Sequence, residues 1–306
     1  MTVLLTRSDV TRAVDVDEVL ELLDAGFRAP APPQPPLRAR TDLPGPGTAT
    51  CLMPGLLPGV PAYTVKVNAK FPDADPALRG VVCLHDLRTG ELLALADSAS
   101  VTAWRTGLAA ALGTHLLADP GAVTLGFVGA GAQARVVAAG LRRLRPWREV
   151  VGTDLDLTRV RTLDALPLES AAAVALAADV VVLATWSRRP LLNAFDARPR
   201  QHFTTLGADE PGKIELAPEL LRAARVVVDD RELAAAASAL GSAGLAADAA
   251  AGTLGEVLRG ELPARDGTDR PTVYAPVGLP WQDLALLWPV YRRASDAEPT
   301  VIDLLG

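Results

Sequence analysis

Apolar residues at Val16, Val19, Leu20, Leu23 and Phe27 recur at the spacing of one helical face, and Asp15 and Glu18 stand at the separation of a reciprocal N-terminal cap. The passage 28–47, RAPAPPQPPLRARTDLPGPG, is too rich in Pro for helix and carries several arginines. Segments 60–70 and 80–95 read as strands, with a turn at DLRTGE. A helix is expected from about Thr102, whose hydroxyl can cap it, to Leu117, and ADPGA at 118–122 reads as a linker.

From residue 123 the pattern becomes strand and helix in alternation. TLGFVG, EVVGTD, DVVVLAT, HFTTLG and RVVVDD are apolar runs without strong alternation. Strands of that kind are buried on both faces, as in a parallel sheet covered by helices. The Ala-rich stretch 232–252 reads as helix with a glycine-rich break, and 271–296 ends in a helix apolar on one side that returns to the first domain. No internal repeat is visible. The expected organisation is a first domain of residues 1–118 with 274–306 and a second of residues 119–273.

Composition narrows the function classes. A net charge of -6 argues against nucleic acid as the main partner, since phosphate binding wants a basic face. The longest apolar stretch, residues 170–186, is broken by Asp179 and falls short of a membrane span. The N-terminus lacks the pattern of a secretory signal, and Cys51 and Cys83 are too few for a disulfide framework or a zinc site. The expectation is a cytoplasmic protein with no metal, no nucleic acid and no membrane partner. Lys66, Lys70 and Lys213 are the three lysines of a chain with 30 basic residues; a lysine kept against so many arginines can mark a place where a guanidinium does not fit.

The sharpest motif follows the run at 124–128. Gly129, Gly131 and Ala134 have the G-x-G-x-x-A spacing between a strand and a helix. Gly129 permits a tight turn and Gly131 lets the backbone approach a pyrophosphate. Ala132, Gln133 and Ala134 open the helix, whose N–H groups and dipole favour the phosphate charge. The next strand ends in Asp154, a carboxylate able to accept from ribose hydroxyls and to repel the 2'-phosphate of NADP. NAD is therefore expected, with NADP possible through Arg159.

LMPG (52–55), YTVKVNAKFP (63–72), the run 81–118 with TAWRTGLAA, GFVGAGAQA (126–134), LGADEPGKIEL (206–216), VVVDD (226–230) and VGLPWQD (277–283) together resemble the ornithine cyclodeaminase and mu-crystallin family over nearly the whole chain. The resemblance implies a Rossmann-type doubly wound parallel sheet plus an α+β substrate-binding and dimerisation domain, hence a homodimer. It implies that Lys66, Arg105 and Arg38, with Arg40 a close alternative to the last, hold a substrate carboxylate. It implies that Thr106 meets the nucleotide phosphate, that Ala184, Thr185 and Leu206 line the nicotinamide pocket, and that Asp209 is the acid-base group, with Lys66 also taking part in catalysis. Two departures from the family pattern stand out. Cyclodeaminase members have Glu where this chain has Cys51, and many members have Asp-Ser where it has Ala275 and Pro276. His85 and His115 read as ordinary strand and helix residues.

The function expected is an NAD(P)-dependent oxidoreductase acting on the C–N bond of a small imino or amino acid. An ornithine- or lysine-type cyclodeaminase is one alternative, and a non-catalytic protein that binds a small ligand with the nucleotide is the other.

Overall fold

The computed structural model describes every residue except 31–35, 72, 75–76, 211 and 305–306. Part of the Pro-rich passage, and Pro211 two residues after Asp209, therefore lie outside the described residues. The chain divides into two compact units, Met1–Thr106 with Leu279–Gly306 and Gly107–Gly278.

The first unit is built on a sheet whose strands in chain order are β1 (Thr2–Leu5), β2 (Ala39–Asp42), β3 (Ala49–Leu56), β4 (Ala62–Lys70), β5 (Leu78–Asp86) and β6 (Leu92–Asp97). Across the sheet the order is β1-β6-β5-β4-β3-β2, with the short strand Val301–Ile302 outside β1. β1 runs parallel to β6 and the neighbours from β6 to β2 are antiparallel. The helix Val16–Arg28 buries Val19, Leu20, Leu23 and Phe27, the stripe visible in the sequence. Its cap is half of the reciprocal one: Asp15 Oδ1 accepts from the N–H groups of Asp17 and Glu18 at 3.0 and 3.2 Å. The Glu18 carboxylate pairs with Arg293 of the last helix instead, since an ion pair outweighs a bond to one exposed backbone N–H. That last helix, Trp281–Ser295, packs on β3, β4 and the helix Val16–Arg28. Phe27 meets Trp281 edge-on with ring centroids 5.0 Å apart.

The long helix begins earlier than Thr102. It spans Ser98–Leu117 because Asp97, the last residue of β6, caps it at once by accepting from the Ser100 N–H at 2.9 Å. Thr102 lies inside the helix, its hydroxyl 3.5 Å from Asn68 Nδ2. From Gly107 onward this helix belongs to the second unit, and close helix packing explains why. A side chain at Gly107 would run into Val136, and one at Gly140 would stand 2.7 Å from Ala111. Glycine at both contacts lets the two backbones approach as no larger residue would.

The second unit is a parallel sheet of β7 (Thr124–Val128), β8 (Glu149–Thr153), β9 (Leu166–Pro167), β10 (Val180–Leu183), β11 (His202–Thr205), β12 (Arg225–Val228), β13 (Gly252–Thr253) and β14 (Thr272–Tyr274). Their order is β13-β12-β14-β11-β10-β7-β8-β9. The residues of β7, β10, β11 and β12 are buried throughout, as strands covered on both faces require. The chain leaves β7 toward β8 and β9 and then returns to β10 on the other side. The carboxyl ends of β7 and β10 therefore form the switch point where open α/β sheets bind ligands. The Ala-rich stretch is helical with a break, as expected, but Ser238 makes the break: it ends Arg231–Ala237 and caps Ala239–Ser242 by accepting from the Leu240 N–H at 3.2 Å.

Candidate functional site

In the first unit β4 turns Thr64, Lys66 and Asn68 toward the helix-covered face of the sheet, while Val67 is 37% exposed on the other. Lys66 is 0% exposed, and its ammonium lies 3.0 and 2.8 Å from the two carboxylate oxygens of Asp283 in the last helix. Arg105, in the second turn of its helix, brings Nε to 3.2 Å from Asp283 Oδ1 and donates from Nη1 to Gln282 Oε1 at 3.0 Å. Arg38 is half-buried just ahead of β2, near enough for its charge to act on Lys66. Arg40 is exposed and donates to Asp42 at 3.0 and 2.9 Å. Burial and the charges of Arg105 and Arg38 pull the Lys66 ammonium down to about 8, although Asp283 raises it. Lys66 and Arg105 thus share the Asp283 carboxylate, with the charge of Arg38 felt at Lys66. Around them Asn68 Oδ1 and Gln282 Nε2 are buried without hydrogen-bond partners, which leaves polar atoms ready for a ligand. Cys51 is half-buried on β3 in register with Asn68, on the strand that also pairs Met53 with Lys66.

In the second unit the glycine motif has the form its spacing implies. Gly129 follows β7 at φ +91, where a Cβ would stand 2.5 Å from the carbonyl oxygen of Ala184. Gly131 is the N-cap of the helix Ala132–Leu144, with no side chain capping that end. A Cβ on Gly131 would meet nothing within 4 Å, so the glycine leaves open space at a helix N-terminus. Ala132 is exposed there, Gln133 half-buried, and Ala134 buried against the strand layer. Asp154 Oδ2 accepts from the Ala130 N–H at 2.7 Å and Oδ1 from the Asp156 N–H at 2.9 Å, which ties the end of β8 to the glycine turn and leaves lone pairs for further donors. Arg159 is directed to Asp156, at 3.7 Å. These groups fit a dinucleotide pyrophosphate and ribose. Thr106, the last residue of the first unit, has a buried hydroxyl oxygen with no hydrogen-bond partner.

Ala184 and Thr185 follow β10, and Leu206 follows β11. A residue unassigned by sequence, Glu215, pins both strand ends. It is fully buried and accepts from the Thr185 N–H and hydroxyl, each at 2.7 Å, the Thr205 hydroxyl at 2.7 Å and the Gly207 N–H at 2.8 Å. Burial pushes its carboxyl up and those four bonds oppose the rise. Asp229 plays the same part after β12, accepting from the Val277 N–H at 3.0 Å and the Gly278 N–H at 2.6 Å. Asp209 is half-buried, with 45% of its side chain exposed, and lies 2.9 Å from the Lys213 ammonium, which also lies 3.2 Å from Glu210 and over the Trp186 ring. Burial works against the charge of Lys213, but Asp209 and Glu210 outweigh it and hold the ammonium above its ordinary value. Among the described residues no group of three or more His, Cys, Asp or Glu side chains could hold a metal, and no helix is long and apolar enough to cross a membrane.

Asp283, Gln282 and Glu215 all fall inside motifs visible in the sequence, yet none stood out as part of a site, while Lys213 stood out only through the scarcity of lysine. Asp283 left one signal: it interrupts a helix whose neighbours Leu284, Ala285, Leu286 and Leu287 are all core residues.

A parallel α/β unit with a glycine-opened helix at its switch point, joined to a sheet that buries cations around one carboxylate, defines a two-unit protein of the dinucleotide-binding class. The chain belongs to the ornithine cyclodeaminase/mu-crystallin family, whose model matches residues 1–298. The alanine dehydrogenase of Archaeoglobus fulgidus is 28% identical over 310 residues, covering 96% of this chain and 95% of that protein. The L-lysine cyclodeaminase of Streptomyces rapamycinicus is 35% identical over 248 residues, 72% of this chain and 70% of that one. The solved structure of an archaeal alanine dehydrogenase dimer with bound NAD matches with a TM-score of 0.89 at 27% identity, covering 99% of each chain. Relatives of this chain therefore include both a dehydrogenase and a cyclodeaminase.

Proposed function

We propose that the protein is an NAD(P)-dependent oxidoreductase acting on the C–N bond of a small imino or amino acid, with NAD favoured over NADP. The observation that carries this reading is the buried cation cluster. Burying Lys66 and Arg105 beside one carboxylate is costly, and a second carboxylate, brought by the substrate, would balance the charge. A guanidinium grips a carboxylate through two parallel bonds and the Lys66 ammonium adds a point charge, so Arg105, Arg38 and Lys66 orient the substrate. Bound NAD(H) would supply or accept the hydride at the carbon of the C–N bond. Asp209 manages the proton at nitrogen, and Lys66, with a proton affinity near neutrality, holds its charge below about pH 8. Glu215 keeps Thr185 and Gly207 fixed and Asp154 receives the ribose hydroxyls. Ala184, Thr185 and Leu206 line the nicotinamide side, Thr106 meets a phosphate, and Gly129 to Ala134 hold the pyrophosphate.

Cyclodeamination is the second reading, favoured by the lysine cyclodeaminase among the relatives. Cys51 speaks against it, because a thiol neither orients nor deprotonates an ammonium group as a carboxylate does. The solved archaeal alanine dehydrogenase that this chain resembles is a dimer. Leu52, Val67 and Val81 lie opposite one another across β3, β4 and β5 and are exposed, which suits a homodimer formed on that face.

The deciding experiment scans NADH and NADPH oxidation against cyclic imines and against 2-oxo acids with amines, and assays ammonia from ornithine and lysine with NAD. Oxidation of NADH by one substrate class, tighter binding of NADH than NADPH and little ammonia are expected. Rapid NAD-dependent conversion of lysine or ornithine to a cyclic amino acid without net NADH would establish the cyclodeaminase instead.

A further inference from the structure

Asp283 does not reach its position by sequence proximity: it lies 217 residues from Lys66, in the first turn of the helix Trp281–Ser295, and is fully buried. Both of its oxygens face the Lys66 ammonium, at 3.0 and 2.8 Å, and Oδ1 also faces Arg105 Nε at 3.2 Å. The neighbouring Gln282 takes a bond from Arg105 Nη1 through Oε1. The last helix thus presents two consecutive side chains that hold the two cations from one side. The charged groups facing Lys66 are Arg105 from the helix Ser98–Leu117, Arg38 from the segment before β2 and Asp283 from the last helix. β3 and β5 offer Met53 and Val82 opposite Lys66, with the Cys51 thiol two residues from Met53 on the same strand.

We propose that Asp283 is a positioning residue that fixes both the place and the charge of Lys66 and the orientation of Arg105, so that the cations stand ready for a substrate carboxylate. The inference rests on the reading of Lys66 and Arg105 as the clamp of the proposed reaction. Two buried cations with a third nearby repel one another, and without a counter-charge the lysine would shed its proton and the guanidinium would turn toward other acceptors. Asp283 touches both. It does not itself need to touch the substrate.

Three lysines make the test clean, because [13Cε]lysine gives three signals that Lys66→Arg and Lys70→Arg variants assign. In the parent protein the Lys66 signal is expected to titrate near pH 8. In Asp283→Asn, which keeps the side-chain shape, its midpoint should fall by about one pH unit or more, roughly a tenfold loss of proton affinity. Gln282→Glu supplies the opposite arm: a second carboxylate bonded to Arg105 should raise the midpoint, and this variant serves if Asp283→Asn does not fold. With a substrate in hand, the alkaline limb of kcat/KM should move down with the Lys66 midpoint in Asp283→Asn, while NADH affinity stays unchanged. A Lys66 midpoint that stays put in the folded variants, or a moved midpoint with an unmoved alkaline limb, overturns the proposal. If the midpoint moves as expected but no imino or amino acid is turned over, the role of Asp283 stands and the reading of the reaction fails.

Discussion

Asp209 is the residue at which the proposed chemistry is most exposed to test. An imine accepts hydride well when its nitrogen carries or shares a proton, so the group that manages that proton governs turnover. Asp209 is bonded to the buried Lys213 ammonium, which restrains its carboxylate near the end of β11. Asp209→Asn keeps the size and removes proton exchange, and should lower kcat by about a hundred- to ten-thousand-fold. NADH affinity, read by fluorescence titration, should hardly change. A kcat within a few-fold of the parent across pH would leave Asp209 as a partner of Lys213 and no more. At this scale the sequence is legible where chemistry is local: Gly129, Gly131 and Asp154 announce themselves through spacing alone. Asp283 does not, because its partner Lys66 is 217 residues away and no local pattern encodes that meeting. Glu215 was hidden for another reason. It bonds to backbone N–H groups and hydroxyls, partners that every sequence has in abundance.

Elements carry a different signal. In β4 the alternation Thr64, Val65, Lys66, Val67, Asn68 would ordinarily send the valines inward and the lysine to water. The structure does the reverse, with Lys66 buried and Val67 exposed. Such an inversion is stable when the buried polar face finds partners and the apolar face has something to cover it. β4 is therefore recognisable as a strand from its sequence, while its facing is set by Asp283 and by whatever meets Val67. The glycine turn after β7 is legible in both respects, and it separates two variants sharply. Gly129→Ala puts a side chain at φ +91 and 2.5 Å from the Ala184 carbonyl, so it should lower the melting temperature. Gly131→Ala meets nothing within 4 Å, and since alanine caps a helix less well than glycine while restricting the unfolded chain, stability should change little. Its methyl group nonetheless projects into the open space at the helix N-terminus that a pyrophosphate would use, and NADH affinity should fall by about tenfold or more. Parent-like NADH binding by a folded Gly131→Ala would show that the phosphates lie elsewhere.

At the scale of the whole molecule, the outer face of the first unit's sheet carries an uncovered row of apolar side chains. Leu52 on β3, Val67 on β4 and Val81 on β5 are directly opposite one another in register and are 45%, 37% and 40% exposed, with Leu56 further along β3. Large apolar side chains scattered singly over a surface need no explanation, but a row of them across three adjacent strands does. A stable association buries about 800 Å² on each partner, and apolar area removed from water is worth about 25 cal/mol per Å². A second copy of the chain presenting the same row would cover it with a symmetric contact, the row forming the apolar centre of a larger buried area. The parent protein should therefore sediment at twice the 32.0 kDa chain mass. Leu52→Asp combined with Val81→Asp should release the single chain, since two carboxylates per copy would then be buried or brought together across the contact. Both positions face away from Lys66 and lie outside the glycine turn, so NADH should still bind the separated chain. A parent protein that sediments as a single chain at micromolar concentration, or a double variant that stays paired, would mean that this face is not the contact between copies.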